Sequence, residues 1–304
     1  MTEPFVLGAE VADALASGAA VVALETSVIG QGLPSPENVT CAERMGGAIR
    51  SAGAVPAWIG VVDGAVTAGL TPDQLMRFAE PDVAAKVARR DLPVAVATGV
   101  LGATTVSATI WVAARAGIAL AATGGIGGVH PGADPDVSAD LLELARTPCT
   151  LVCSGPKSIV DPVATAARLE ELGVTLVGYG VDRLPFFLSR EAPVELDHRV
   201  DGAQEAARVA ESHRSLGTRS TLVLCNPILA AEAMDVGEVA AAAREAEARA
   251  ERAGVHGKAR TPFLLAALAD ITDGRSLRAN VALLEGNAGV AAEVAVALSA
   301  ARSG

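Results

Sequence analysis

Ala20-Val-Val-Ala-Leu24-Glu25-Thr26-Ser27 is the stretch that decides the fold: five apolar residues run without a polar break, then stop on a carboxylate and two hydroxyls. A strand wetted on one face alternates apolar and polar residues, whereas an unbroken run suits a strand covered on both faces by crossover helices. Working outward, comparable Val-rich runs at residues 54–62, 93–98, 118–123, 150–154, 175–179 and 220–226 are expected to be strands, several ending in polar or Gly-rich loops. Ala-rich helical periodicity fills the gaps. Pro36 begins a helix that runs to Ser51, Thr104 opens another, and Ser138 caps a third whose Leu141, Leu142 and Ala145 share a face. This alternation predicts an α/β fold with a parallel or mixed central sheet. With no repeat and no low-complexity linker, residues 1–304 read as a single domain.

The composition narrows the function. Half of the 304 residues are apolar but only 3% are aromatic, so the core is built mostly from Ala, Val and Leu. The formal charge is -11 and the basic residues never cluster, which argues against nucleic acid as a partner. Residues 1–20 lack the basic and apolar segments of a secretion signal, and no run appears long and apolar enough for a bilayer, so a cytoplasmic protein with no membrane association is expected. Cys41, Cys149, Cys153 and Cys225 have no CxxC spacing and read as reduced, buried thiols. Residues 238–252 form an Ala/Glu/Arg helix with ion-pair spacing, as in Glu245 and Arg249, and read as a solvated outer helix.

Three motifs fail on inspection. Gly125 and Gly127 begin a G-x-G, but His130 stands where the third glycine of a dinucleotide loop belongs. Gly155-Pro-Lys157-Ser158 has the wrong spacing for a Walker A loop. Asp134-Pro-Asp136-Val-Ser138-Ala-Asp140 copies half of an EF-hand loop, with Ala139 and Ala145 where Gly and a bidentate Glu are needed. Its hard oxygen donors still suit Mg²⁺ or Mn²⁺ held by one or two carboxylates plus waters.

Four polar clusters lie at strand ends, where ligands bind in open α/β sheets. They are Glu25-Thr26-Ser27, Lys86 with Arg89-Arg90-Asp91, the loop of residues 123–140, and Ser154-Gly-Pro-Lys157-Ser158. A lysine after an apolar strand can serve as an amine nucleophile toward a carbonyl, although capping or snorkelling is the plainer use. A carboxylate buried after an apolar run suits a proton donor, although ion pairing would also account for Glu25. His130 on its own reads as a surface loop residue. Gly102-Ala-Thr104-Thr105 at a helix start offers amides and hydroxyls to a phosphate, and Lys86 adds a cation.

The strings Val-Val-Ala-Leu-Glu25-Thr-Ser, Arg89-Arg-Asp-Leu-Pro93, Gly102-Ala-Thr-Thr-Val106, Ala122-Thr-Gly-Gly-Ile-Gly-Gly-Val-His130, Ser138-Ala-Asp140-Leu and Gly155-Pro-Lys157-Ser-Ile159 resemble, in order, the pseudouridine-5'-phosphate glycosidase family, also called indigoidine-synthase-A-like. Asn226-Pro-Ile228, the run from Gly257 to Leu265, and Ser276-Leu-Arg-Ala-Asn280 continue the match, which spans residues 21–293. The resemblance implies an α/β/α sandwich, a homotrimer, and reversible cleavage of the C–C glycosidic bond of pseudouridine 5'-phosphate to uracil and ribose 5-phosphate. It places Lys157 as the Schiff-base nucleophile, Glu25 as proton donor and Asp136 as a Mn²⁺ ligand. Substrate binding falls on Lys86, Val106, Ser138, Ala139 and Asp140, with Thr123, His130 and Asn280 as further site positions. Gln31, where some members have His, and Pro156, where Ala commonly precedes the lysine, depart from the family pattern. A Schiff-base aldolase on another phosphosugar, and a binding protein with a static Lys157 ion pair, would use the same residues.

Overall fold

The computed structural model describes residues 4–131 and 136–303, so Asp134 of the acid-rich loop lies outside the described residues. Its strands are β1 (Phe5–Leu7), β2 (Val21–Glu25), β3 (Val55–Val62), β4 (Ala65–Ala68), β5 (Ala85–Val87), β6 (Gly102–Thr104), β7 (Leu120–Ala122), β8 (Thr150–Cys153), β9 (Thr175–Tyr179), β10 (Arg199–Val200) and β11 (Leu222–Cys225). They form one sheet in the order β1-β4-β3-β2-β7-β8-β11-β9-β10, with β6 branching from β3 and β5 from β6. Pairing is parallel except at β3–β4 and β3–β6.

Successive side chains of a strand point to opposite faces, and here both faces are dry. Val22 and Leu24 join Val152, Leu222 and Leu224 in one core with Met45 and Ile49 of the Glu37–Ser51 helix. Val21 and Ala23 join Leu151, Cys153 and Val223 in a second core on the other face, with Ile110 and Val112 of the Val106–Ala116 helix. The result is the α/β/α sandwich, and the unbroken apolar run at residues 20–24 reflects burial on both sides. All four cysteines are buried and free. Burial pushes the Cys41, Cys149 and Cys153 thiols up to about 12, which keeps them protonated and unreactive.

The structure corrects four expectations here. Residues 93–98 are helical, within Leu92–Thr98: Pro93 sits in the first turn, Leu92 and Ala95 are buried at helical spacing, Val94 is exposed, and Gly99 closes the helix in the left-handed region. In the short Ala139–Leu144 helix, Leu141 is buried but Leu142 is exposed, because adjacent positions on a helix point about 100° apart. Thr104 belongs to β6, and the next helix begins at Val106. Finally, Arg275–Arg302 is long and apolar enough, at mean hydropathy 1.5, to pass for a membrane span. In the fold this helix lies on β7, β8 and β2 and against the Glu37–Ser51 and Ala203–Ser215 helices, so its Leu283, Leu284, Ala288 and Ala291 are core residues.

Candidate active site

The parallel strands β2, β7, β8 and β11 all point their carboxyl ends the same way, and Glu25, Thr123, Ser154 and Asn226 sit at or just after those ends. A cleft opens there, lined by all eleven residues singled out above: Glu25, Lys86, Val106, Thr123, His130, Asp136, Ser138, Ala139, Asp140, Lys157 and Asn280. The sequence separates them by up to most of the chain. The crossovers bring them together.

Glu25 is 3% exposed. Thr123 Oγ1 donates to its Oε1, and Ser27 Oγ donates to its Oε2 at 2.7 Å. Burial pushes its carboxyl above the ordinary range, while the nearby Lys157 charge and the two hydroxyls pull it back. Such a group holds a proton at higher pH than a surface carboxylate and can still release it to an arriving base.

Lys157 is placed by its backbone. Its N–H donates to the Ile126 carbonyl at 3.0 Å, and the Ile126 N–H donates to the Gly155 carbonyl at 3.1 Å. Gly155 has φ +74°, and a Cβ there would lie 2.0 Å from the Pro185 carbonyl oxygen. Only glycine fits, and Pro156 then fixes the approach to Lys157.

Asp140 organises the glycine-rich loop. Its Oδ1 accepts from Ser107 N–H and its Oδ2 from Gly127 N–H, each at 3.0 Å, while Ser138 Oγ accepts from the Asp140 N–H at 3.2 Å. The carboxylate thereby joins the loop to the first turn of the Val106–Ala116 helix, whose leading amides have no intrahelical carbonyl to bond. Val106 and Thr105 reach the cleft at this helix start. Thr104 does not: its hydroxyl donates to the Ile59 carbonyl at 2.6 Å, and it is fully buried. Of the basic cluster, Lys86 and Arg90 line the cleft with Asp91. Arg89 turns away to pair with Glu143 at 2.8 Å and lies 5.5 Å from the Trp111 ring centre.

Asp136 is exposed at the cleft, and its carbonyl accepts from the His130 N–H at 2.9 Å. Among the described residues no three His, Cys, Asp or Glu side chains converge as metal ligands. With the Asp140 oxygens committed to amides, the donors fit a mostly hydrated Mg²⁺ or Mn²⁺ on one carboxylate, and they do not form a protein cage.

His130 is not the surface residue its loop implied; it is 7% exposed and faces Glu247 and Arg260. Burial and the Arg260 charge push its imidazole below the ordinary range, against the pull of Glu247. Glu247 lies on the Val236–Arg252 helix, which was expected to be a solvated outer helix. That helix instead buries Val239, Ala242, Ala246 and Ala250, and with Arg260–Ile271 it packs on Ile159 and Val160.

Asn287 went unnoticed in the sequence. It is fully buried, donates to the Thr123 carbonyl at 2.8 Å and to Ser154 Oγ at 3.1 Å, and accepts from Asn226 Nδ2 at 2.9 Å. One amide thus ties together the ends of three strands. A lone Asn on the same helical face as Leu283, Leu284 and Ala291 was the available signal. Gln31 also lines the cleft, its Nε2 donating to the Ala84 carbonyl at 2.8 Å.

Comparison with known proteins shows what the whole chain is similar to. A family model described as "Indigoidine synthase A like protein" matches residues 10–297. A pseudouridine-5'-phosphate glycosidase of Gemmatimonas aurantiaca is 48% identical over 94% of each chain, and one of Herpetosiphon aurantiacus is 48% identical over 96% of this chain and 97% of the relative. The crystal structure of the prealnumycin C-glycosynthase AlnA in complex with ribulose 5-phosphate superposes with a TM-score of 0.90 at 40% identity, covering 100% of this chain and 99% of that one. An indigoidine synthase A-like protein from Thermotoga maritima gives a TM-score of 0.89 at 37% identity over 97% and 96% of the two chains. With the match running almost end to end, the chain belongs to the indigoidine synthase A-like family, whose curated relatives are pseudouridine-5'-phosphate glycosidases.

Proposed function

We propose that this protein reversibly cleaves the C–C glycosidic bond of pseudouridine 5'-phosphate, giving uracil and ribose 5-phosphate, through a Schiff base on Lys157 with Glu25 moving the proton. The observation that carries the reading is a buried, proton-retaining carboxyl beside a backbone-fixed lysine in one cleft. Uracil leaves through carbon, so an acid and base acting on a leaving oxygen, as in ordinary glycosidases, have nothing to protonate there. Covalent catalysis supplies the missing electron sink.

In the synthetic direction the Lys157 amine condenses with the aldehyde of open-chain ribose 5-phosphate, and water leaves with the proton that Glu25 gives up. Carbon 5 of uracil attacks the resulting iminium carbon, and the iminium electron pair returns to the Lys157 nitrogen. The proton displaced from that uracil carbon passes to the Glu25 carboxylate. The C4 hydroxyl oxygen of the sugar then displaces Lys157 from C1 and the ring closes, its proton passing to Glu25 as Glu25 protonates the departing amine; cleavage runs the same steps backwards. Lys86 and the amides at the start of the Val106–Ala116 helix anchor the phosphate, with Ser138 and Ala139 at the sugar and Thr123, His130 and Asn280 toward the base. A hydrated Mn²⁺ on Asp136 would help orient the base through its waters. The working form is a cytoplasmic homotrimer.

Mass spectrometry of protein incubated with uracil, ribose 5-phosphate and Mn²⁺ tests this, with pseudouridine 5'-phosphate as the expected product. Absence of product from folded, metal-supplied protein overturns it. Loss of activity on chelation, restored by Mn²⁺, supports the Asp136 assignment; full activity under chelation removes it. A second reading has a specific basis, since AlnA is a C-glycosynthase crystallised with a phosphosugar. Under it the Lys157 chemistry stays and the acceptor differs, so an adduct with ribose 5-phosphate forms but uracil is not consumed.

A further inference from the structure

The helical hairpin of Val236–Arg252 and Arg260–Ile271 places Glu247 and Arg260 beside His130, whose side chain lines the cleft. Arg260 Nη2 donates to Glu247 Oε2 at 2.8 Å, and Glu247 Oε1 stands 3.7 Å from His130 Nδ1. Those two facing atoms, together with Arg260 Nε, are sealed from solvent and have no hydrogen-bond partner among the described residues. Charge-assisted N–H···O bonds form at about 2.7–2.9 Å, so Glu247 Oε1 stands about 1 Å short of a full bond from His130 Nδ1.

We propose that Glu247, held by Arg260, is the positioning residue that sets the His130 tautomer. An ionised carboxylate only accepts, so its partner Nδ1 must carry the hydrogen, and neutral His130 then offers a bare Nε2. His130 lines the cleft while its Nδ1 is sealed from it, so Nε2 is the atom a substrate meets. His130 therefore accepts a hydrogen bond from a substrate N–H or O–H and does not donate one. The hairpin packs on Ile159 and Val160, just beyond Lys157, so Glu247 and the nucleophile rest on a shared support. The inference rests on the cleft being the substrate site proposed above.

The test is ¹⁵N NMR of the full-length protein, in which four histidines are present and His130→Gln assigns the signal. The parent is expected to show Nδ1 protonated and Nε2 bare. Glu247→Leu is expected to lose that tautomer and to lower kcat roughly 10-fold or more, with the KM for ribose 5-phosphate and its borohydride-trapped adduct unchanged. Glu247→Gln, which keeps a carbonyl oxygen for Nδ1, restores most of both. If Glu247→Leu does not fold, Glu247→Asp, one methylene shorter, is read the same way. Nδ1 bare in the parent, or a tautomer and kcat indifferent to Glu247, overturns the proposal. No product from the parent refutes the uracil reaction instead, and the resting-state NMR still decides the role of Glu247.

Discussion

On the sheet side of the cleft, Glu25 already receives the Thr123 and Ser27 hydroxyls, and Asn287 joins Thr123, Ser154 and Asn226. On the hairpin side, His130 Nδ1, Glu247 Oε1 and Arg260 Nε are equally buried but unpaired. Buried polar groups are nearly always satisfied, so the groups assigned to bond making are already paired, whereas His130 and Glu247 stand about 1 Å short of a hydrogen bond. The sheet wall holds the groups assigned to bond making, where misplacement is costly. The hairpin has its own small core, shared with Ile159 and Val160 and separate from the two strand cores.

The contrast can be broken at several points. The largest effect is expected at Glu25→Gln, which keeps the shape but removes the mobile proton: product formation should fall by roughly 100-fold or more in a turnover assay. Stability should move the other way. A carboxyl raised in the folded state contributes stability that is present below its unfolded pKa and lost as pH rises through the folded value. The Tm of Glu25→Gln should therefore equal or exceed that of the parent, by a margin that widens as pH rises above the ordinary carboxylate range. A parent that gains stability relative to the variant over that range would contradict the assignment.

Asn287→Leu comes next. It leaves the Thr123 carbonyl, Ser154 and Asn226 without their shared partner, and urea unfolding should show a loss of roughly 3 kcal/mol. A smaller effect belongs to Gly127→Ala, whose Cβ would stand 2.3 Å from Ser138 Oγ. The loop must yield, costing about 1–2 kcal/mol and raising the KM for ribose 5-phosphate more than it lowers kcat. Smallest is Arg249→Ala, on the outer face of the hairpin, where Asp270 and Glu245 are its exposed partners. No change in unfolding midpoint or kcat is expected. A large effect there would break that contrast.

The central strands were legible because burial on both faces leaves an unbroken apolar run, as at Val21–Glu25 and Thr150–Cys153. Residues 93–98 misled because Pro-Val-Ala-Val-Ala-Thr is equally apolar in either period and too short to reveal 3.6. The edge strands β1, β5 and β10 are too short to stand out from turns. Within the site, Glu25 at the end of β2 and Lys157 four residues past β8 stood out as charges near strand ends, but their roles came from the family resemblance. Glu247 did not stand out, because an Ala/Glu/Arg helix offers many acids and nothing local says which one turns inward. Asp140, placed by resemblance at the substrate, lines the cleft, but its binding of two backbone amides depends on loops that only the fold brings together.

The most direct test of the central claim is borohydride reduction of the protein with ribose 5-phosphate, followed by peptide mapping. One reduced adduct is expected, on Lys157, absent from Lys157→Ala and still formed by Asn280→Ala. An adduct on another lysine, or none with folded protein, would contradict it.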